Sequence, residues 1–98
     1  MKHVRYQSIG NSVGIQEVID DFWEVADDGH VVRSVSVRPD GSHLKYDEAH
    51  DADHFGALPE GLITPEMLAD RSLGKITLIS LVDFDAKWTV KAKNENGA

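Results

Sequence analysis

Cysteine is absent from this 98-residue chain, which removes disulfides, thiolate zinc sites and cysteine nucleophiles together. Any staple or metal would need other residues. No apolar run approaches the roughly twenty residues that cross a bilayer, and the opening MKHVRYQSIG lacks the apolar core of a secretory signal. A cytoplasmic protein is therefore expected. Positive charge is in the minority: ten basic residues against seventeen acidic ones leave a formal charge of -7. That balance repels phosphate backbones and anionic membranes, so neither nucleic acid nor membrane is expected as a partner. Catalytic signatures are missing too. No serine stands in a nucleophile elbow and no glycine loop opens a helix in phosphate-cradling form, so neither an enzyme nor a bound cofactor is expected.

What is present is 41% hydrophobic and 28% charged, the make-up of a soluble globular chain and not of a disordered one. The length suits a single domain over 1–98, with 94–98 as a frayed tail. Lys2 to Gln7 alternates as a first strand, and Ser8 to Gly14 is a turn-rich connection. Three further β-type runs, Val18 to Ala26, His30 to Arg38 and Ser42 to Asp47, are broken at Asp28-Gly29 and Asp40-Gly41. Aspartate-glycine pairs supply the positive φ of tight hairpins, so these runs are read as an antiparallel meander.

Register decides the faces. A two-residue turn at Asp40-Gly41 sets Val37 opposite Leu44 and Val35 opposite Tyr46, gathering four apolar residues on one face, and hydrophobic pattern favours it. A three-residue Pro39-Asp40-Gly41 loop with a bulge is the competing geometry and places Leu44 and Tyr46 opposite Ser36 and Ser34. The two-residue rule at Asp28-Gly29 pairs Ala26 with Val31, Glu24 with Arg33 and Phe22 with Val35. Glu24 and Arg33 then form a cross-strand salt bridge. Trp23, Val25 and Val32 share the opposite face, a candidate contact patch unless another segment covers it.

Residues 47–61, DEAHDADHFGALPEG, combine five acids, two histidines, two glycines and a proline in one long connection. Loops of that length are often functional. On a helix His50 and His54 would share a face with Asp47 and Asp51 near, but two nitrogens fall short of a supported metal site, and a solvated acidic loop is expected instead. Phe55 is expected to anchor its end.

Thr64-Pro65-Glu66 opens a short helix that ends near Ser72, with Gly74 as its breaker. Lys75 to Ile79 is a strand. Ser80 then caps a closing helix over 81–91, on which Leu81, Phe84 and Trp88 form one stripe and Asp83 pairs with Lys87. Lys91 and Lys93 sit at its negative end. The stripe is expected to cover Val35, Val37, Leu44 and Tyr46. The fold class is thus α+β, an antiparallel sheet of about five strands with a C-terminal helix on one face.

The strand FWEVADDGHVVRSVSVRPDG, the loop FGALPEG and the closing SLVDFDAKW resemble a family of small uncharacterised bacterial proteins. That family has an aromatic-Glu-Val strand, a Val-Arg-x-Val strand, an Asp/Asn-Gly turn, a glycine- and proline-containing loop and a closing helix with an aromatic near its end. Residues 8–16 and the histidine-acid segment depart from its pattern. Such proteins are similar in size and charge to immunity proteins of bacterial toxin systems. The resemblance implies a non-catalytic inhibitor that neutralises a toxin by contact. Charge and aromatic flanking, not the resemblance, mark the candidate partner-binding residues for a basic toxin domain: the acids Asp47, Glu48, Asp51 and Asp53, flanked by Tyr46 and Phe55, and the Trp23 face. A small structural or regulatory module of phage origin, working as a homo-oligomer, is the alternative.

Overall fold

The computed structural model describes residues 1–9, 18–66 and 75–93. Its strands are β1 (Lys2–Ile9), β2 (Val18–Val25), β3 (Val31–Val37), β4 (His43–Asp47), β5 (Ala52–Asp53), β6 (Gly56–Ala57) and β7 (Lys75–Ile79), followed by the helix α1 (Leu81–Trp88). Five strands form one sheet in the order β4-β3-β2-β1-β7, every neighbouring pair antiparallel, while β5 and β6 form a separate small hairpin. The chain is α+β. The short helix expected from Thr64 reaches only Pro65 and Glu66 before 67–74, which lie outside the described residues, as do most of the 8–14 connection and the 94–98 tail. No helix among the described residues is long and apolar enough to cross a membrane.

Both meander turns are one residue longer than the two-residue rule gives. At the β3–β4 turn, Arg38 N–H donates to the Ser42 carbonyl (2.8 Å) and Gly41 N–H to the Arg38 carbonyl (2.9 Å), closing a Pro39-Asp40-Gly41 loop. Proline presets φ for the first turn position and Gly41, at φ 87°, takes the left-handed position that completes a three-residue hairpin. Leu44 and Tyr46 therefore pair with Ser36 and Ser34, which corrects the expected pairing with Val37 and Val35. At the β2–β3 turn Ala26 pairs with His30, not Val31, around Asp27-Asp28-Gly29. A bulge at Val32 then absorbs the extra residue, so that Glu24 still meets Arg33 and Phe22 still meets Val35.

Pairing fixes two faces. One carries His3, Arg5, Phe22, Glu24, Arg33, Val35, Val37, Lys45 and Ile79, and α1 packs on it. Phe84, fully buried, meets Phe22 and Val35, with Val37, Ile79 and Trp88 around them. Leu44 and Tyr46 lie on the other face, and Leu81 is half exposed, so the helix stripe narrows to Phe84 and Trp88. The helix itself starts as its cap dictates: Ser80 accepts from Asp83 N–H and Asp83 stands in the first turn. It ends sooner than expected, at Trp88, with Thr89 as C-cap and its hydroxyl donating to the Asp85 carbonyl (3.0 Å). Lys91 and Lys93 lie beyond it, where Lys93 N–H donates to the His43 carbonyl (2.7 Å) and ties the segment to the β4 edge.

The second face is covered too. Val4, Trp23, Val25 and Val31 form a buried cluster with Tyr6, Leu58, Ile63 and Ile76 packed on it. The strap that covers it is 58–63, held by Ile63 N–H donating to the Gly29 carbonyl (2.8 Å) and by a bridge between His30 and Leu62. Gly29, at φ 97°, lies so close beneath this strap that a Cβ would stand 3.1 Å from the Ile63 carbonyl oxygen, whereas a Cβ on Gly41 would meet nothing. Gly41→Ala should therefore show only the left-handed backbone cost of about 1 to 2 kcal/mol, and Gly29→Ala should cost more because the strap must also move. Urea unfolding of the two variants measures the difference; equal losses would mean that the strap contributes nothing at Gly29.

Candidate functional site

The acidic connection after β4 is a built hairpin and not a helix, so His50 and His54 share no helical face. Asp47 starts it by accepting from the backbone N–H groups of Ala49 (2.9 Å) and His50 (2.8 Å), a turn that aspartate favours because its carboxylate reaches the chain just ahead. The chain then pairs Ala52 with Ala57 and Asp53 with Gly56, leaving His54 and Phe55 at the tip. Asp53 is the hub. Its carboxylate accepts from the Tyr46 hydroxyl (2.8 Å), from the Phe55 N–H (2.8 Å) and from the Gly56 N–H (3.3 Å), and bonds His50 Nε2 at 2.8 Å. Gly56 leaves room for that arrangement, since a Cβ there would approach the Tyr46 hydroxyl to 3.2 Å.

The four expected acids thus divide by task. Asp47 and Asp53 are half-buried and hold the loop, whereas Glu48 and Asp51 are exposed and engage no ion-pair partner among the described residues. Phe55 is 37% exposed, with His54 tilted against its ring and the Lys93 ammonium 5.5 Å from its centroid. Beside it lies an open depression of about 260 Å³, lined by Phe55, Leu44, Pro39, Ser42, Arg38 and Lys93 among others. That is below the usual range of small-molecule sites and of a size to take one or two side chains. The Asp40 carboxylate at its rim is held below the ordinary range by the Ser42 hydroxyl and N–H.

Trp23 does not join this site. It is 8% exposed, stacked on Tyr6 with ring centroids 5.3 Å apart, and lies under the 58–63 strap together with Val25. Of the two sequence alternatives, a contact patch or a face covered by another segment, the structure has the covered one. Lys93, Leu44 and Pro39 are the neighbours of Phe55 that sequence spacing misses, because they arrive from the C-terminal segment and the far side of the β3–β4 turn.

A second polar cluster sits beneath α1. Arg33 donates from Nε to Glu24 Oε1 (2.8 Å) and from Nη2 to Oε2 (2.6 Å), realising the cross-strand pair read from sequence, and His3 Nε2 approaches the same carboxylate at 3.0 Å. The guanidinium also lies 4.9 Å from the ring centroids of both Phe84 and Trp88. The Arg33 hydrogen bonds, more than offsetting burial, pull the Glu24 carboxyl down to about 2. With both oxygens committed, Glu24 holds Arg33 and His3 across three strands, and Arg33 in turn reaches the helix rings. Among the described residues, no group of three or more His, Asp or Glu is placed to hold a metal ion. Comparison with protein-family models, with curated proteins and with solved structures finds no match to this chain.

Proposed function

We propose that this chain is a non-catalytic binding protein, an immunity-type inhibitor that neutralises a basic bacterial toxin domain in the cytoplasm through its 47–57 hairpin. The observation that carries this reading is the division of labour among its carboxylates: Asp47 and Asp53 rigidify the loop, whereas Glu48 and Asp51 are exposed, with no ion-pair partner among the described residues, on the hairpin whose tip carries the exposed Phe55. A loop fixed in advance loses little entropy on docking, and unscreened acids accelerate the encounter with a cationic surface. Phe55 and the adjoining depression supply an apolar anchor and a socket for the partner's side chain. Speed is what such an inhibitor needs, since it must bind before damage begins.

Co-purification from the source cell followed by mass spectrometry identifies the partner, and stopped-flow association at two ionic strengths then tests the site. The double reversal Glu48→Lys/Asp51→Lys is expected to slow association about tenfold at low salt and to flatten its salt dependence. Its unfolding midpoint should stay close to that of the parent, because exposed charges contribute little stability. Unchanged association rates would remove the hairpin from the contact. A second reading, a structural or regulatory module working as a homo-oligomer, draws support from exposed apolar side chains at the opposite edge of the sheet.

A further inference from the structure

Among the described residues the sheet ends in β4 on one side and β7 on the other, and the two edges differ in what they offer a further strand. Two copies laid antiparallel along β4, with all five residues paired, would set Lys45 against Lys45. Like charges directly opposite destabilise a pair, and an edge lysine is a common guard against such contact. The centre of β7, KITLI, has no such guard. Its middle residue is Thr77, which is exposed. Two copies paired over all five residues have their two-fold axis at Thr77, with Lys75 opposite Ile79 and Ile76 opposite Leu78. No like charges meet, and each apolar residue of one face finds an apolar partner.

Exposure points the same way. Leu78 is 65% exposed on this edge, and Leu81 and Val82, which follow it at the start of α1, are 50% and 76% exposed. Over 75–82 the chain carries one lysine and no acid, in a protein whose formal charge is -7, so two copies repel each other little along it.

We infer that β7 is the contact edge of a homodimer, in which two copies pair antiparallel through Lys75–Ile79 into one continuous sheet with its two-fold axis at Thr77. A second copy is the occupant because the strand is complementary to itself: its own residues supply both sides of every pair. The 47–57 hairpins then lie by the outer β4 edges, free for other contacts, so the dimer stands or falls independently of the inhibitor reading.

Absence of native cysteine makes the test direct. Thr77→Cys should form an intermolecular disulfide on mild oxidation, since opposite residues of an antiparallel pair have Cα atoms about 4.5 to 5.5 Å apart, within disulfide range. Lys75→Cys should not, because the two copies of residue 75 would be about 13 Å apart along the strands. By sedimentation velocity the parent protein should show a concentration-dependent dimer, and Thr77→Lys should weaken it at least tenfold with an unchanged circular dichroism spectrum. A monomer at every concentration would overturn the proposal and leave the edge to a strand of another protein. Equal cross-linking at both cysteine positions, or a dimer indifferent to Thr77→Lys, would overturn it as well.

Discussion

Phe84→Ala is expected to lower the unfolding free energy by about 3 to 5 kcal/mol, the usual cost of removing a fully buried phenylalanine ring and leaving a partly unfilled cavity. Three supports converge on that ring. Phe22 and Val35 lie beneath it in the core, His3 is tilted against it at 5.3 Å, and the Arg33 guanidinium covers it from the sheet. Since domains of this size hold only about 5 to 15 kcal/mol in total, the loss is a large fraction of the whole and should lower the unfolding midpoint markedly. Trp88→Ala should cost less, because Trp88 is half-buried at the margin and covers Arg33 from outside. Urea titration followed by circular dichroism gives both values; a loss at Trp88 exceeding that at Phe84 would mean that the helix is anchored by its end and not by its middle.

Acid should weaken the fold through Glu24. Its carboxyl is lowered from an ordinary 4.5 to about 2 by Arg33 first and His3 second, so the unfolded chain takes up a proton at a pH where the folded chain does not. The resulting stabilisation, about 3 kcal/mol, is complete above pH ~4.5 and is lost progressively as pH falls through about 2. Glu24→Gln should abolish that part of the acid dependence and, by leaving Arg33 only the more distant Asp85 carboxylate at 3.7 Å, should also destabilise the protein by about 2 to 3 kcal/mol at neutral pH. Glu48→Gln, at an exposed position, should leave the stability at neutral pH nearly unchanged. Urea midpoints measured at several pH values between 2 and 7 decide it, and parallel curves for the parent and Glu24→Gln would remove Glu24 as the source.

The features legible in the sequence were those set by neighbours along the chain. Ser80 and Asp83 are three residues apart and make their cap without reference to the rest of the fold, and the strands around Asp28-Gly29 and Asp40-Gly41 form where their alternation places them. The register of β4 was not legible because the alternation of Ser34, Val35, Ser36 and Val37 favours one face only if the other is wet. Here the 58–63 strap covers the second face, Ser34 is buried beside Tyr46's strand, and apolar pattern no longer separates the two registers. Pro39 was the available signal, since it presets the first position of a longer turn. Whether the Trp23 face is open or covered is not legible for the same reason, since the strap that covers it arrives from about forty residues downstream. In the acidic hairpin, composition marked the segment, but which carboxylates hold it and which face outward depends on Tyr46 and on two backbone N–H groups at the tip.

The strand order carries a consequence for synthesis on the ribosome. Four consecutive strands, β1 to β4, can pair as soon as they emerge, because each lies beside its neighbour in sequence. The fifth strand must return across some seventy residues to the flank of the first, and only then can the helix close over Phe22 and Val35. Until translation has passed Ile79 the nascent sheet therefore presents an open β1 edge, and until it reaches Trp88 those two apolar side chains, the kind of surface that chaperones bind. A chain truncated before Lys75 should therefore aggregate through its uncovered β1 edge, which light scattering of the 1–74 fragment measures.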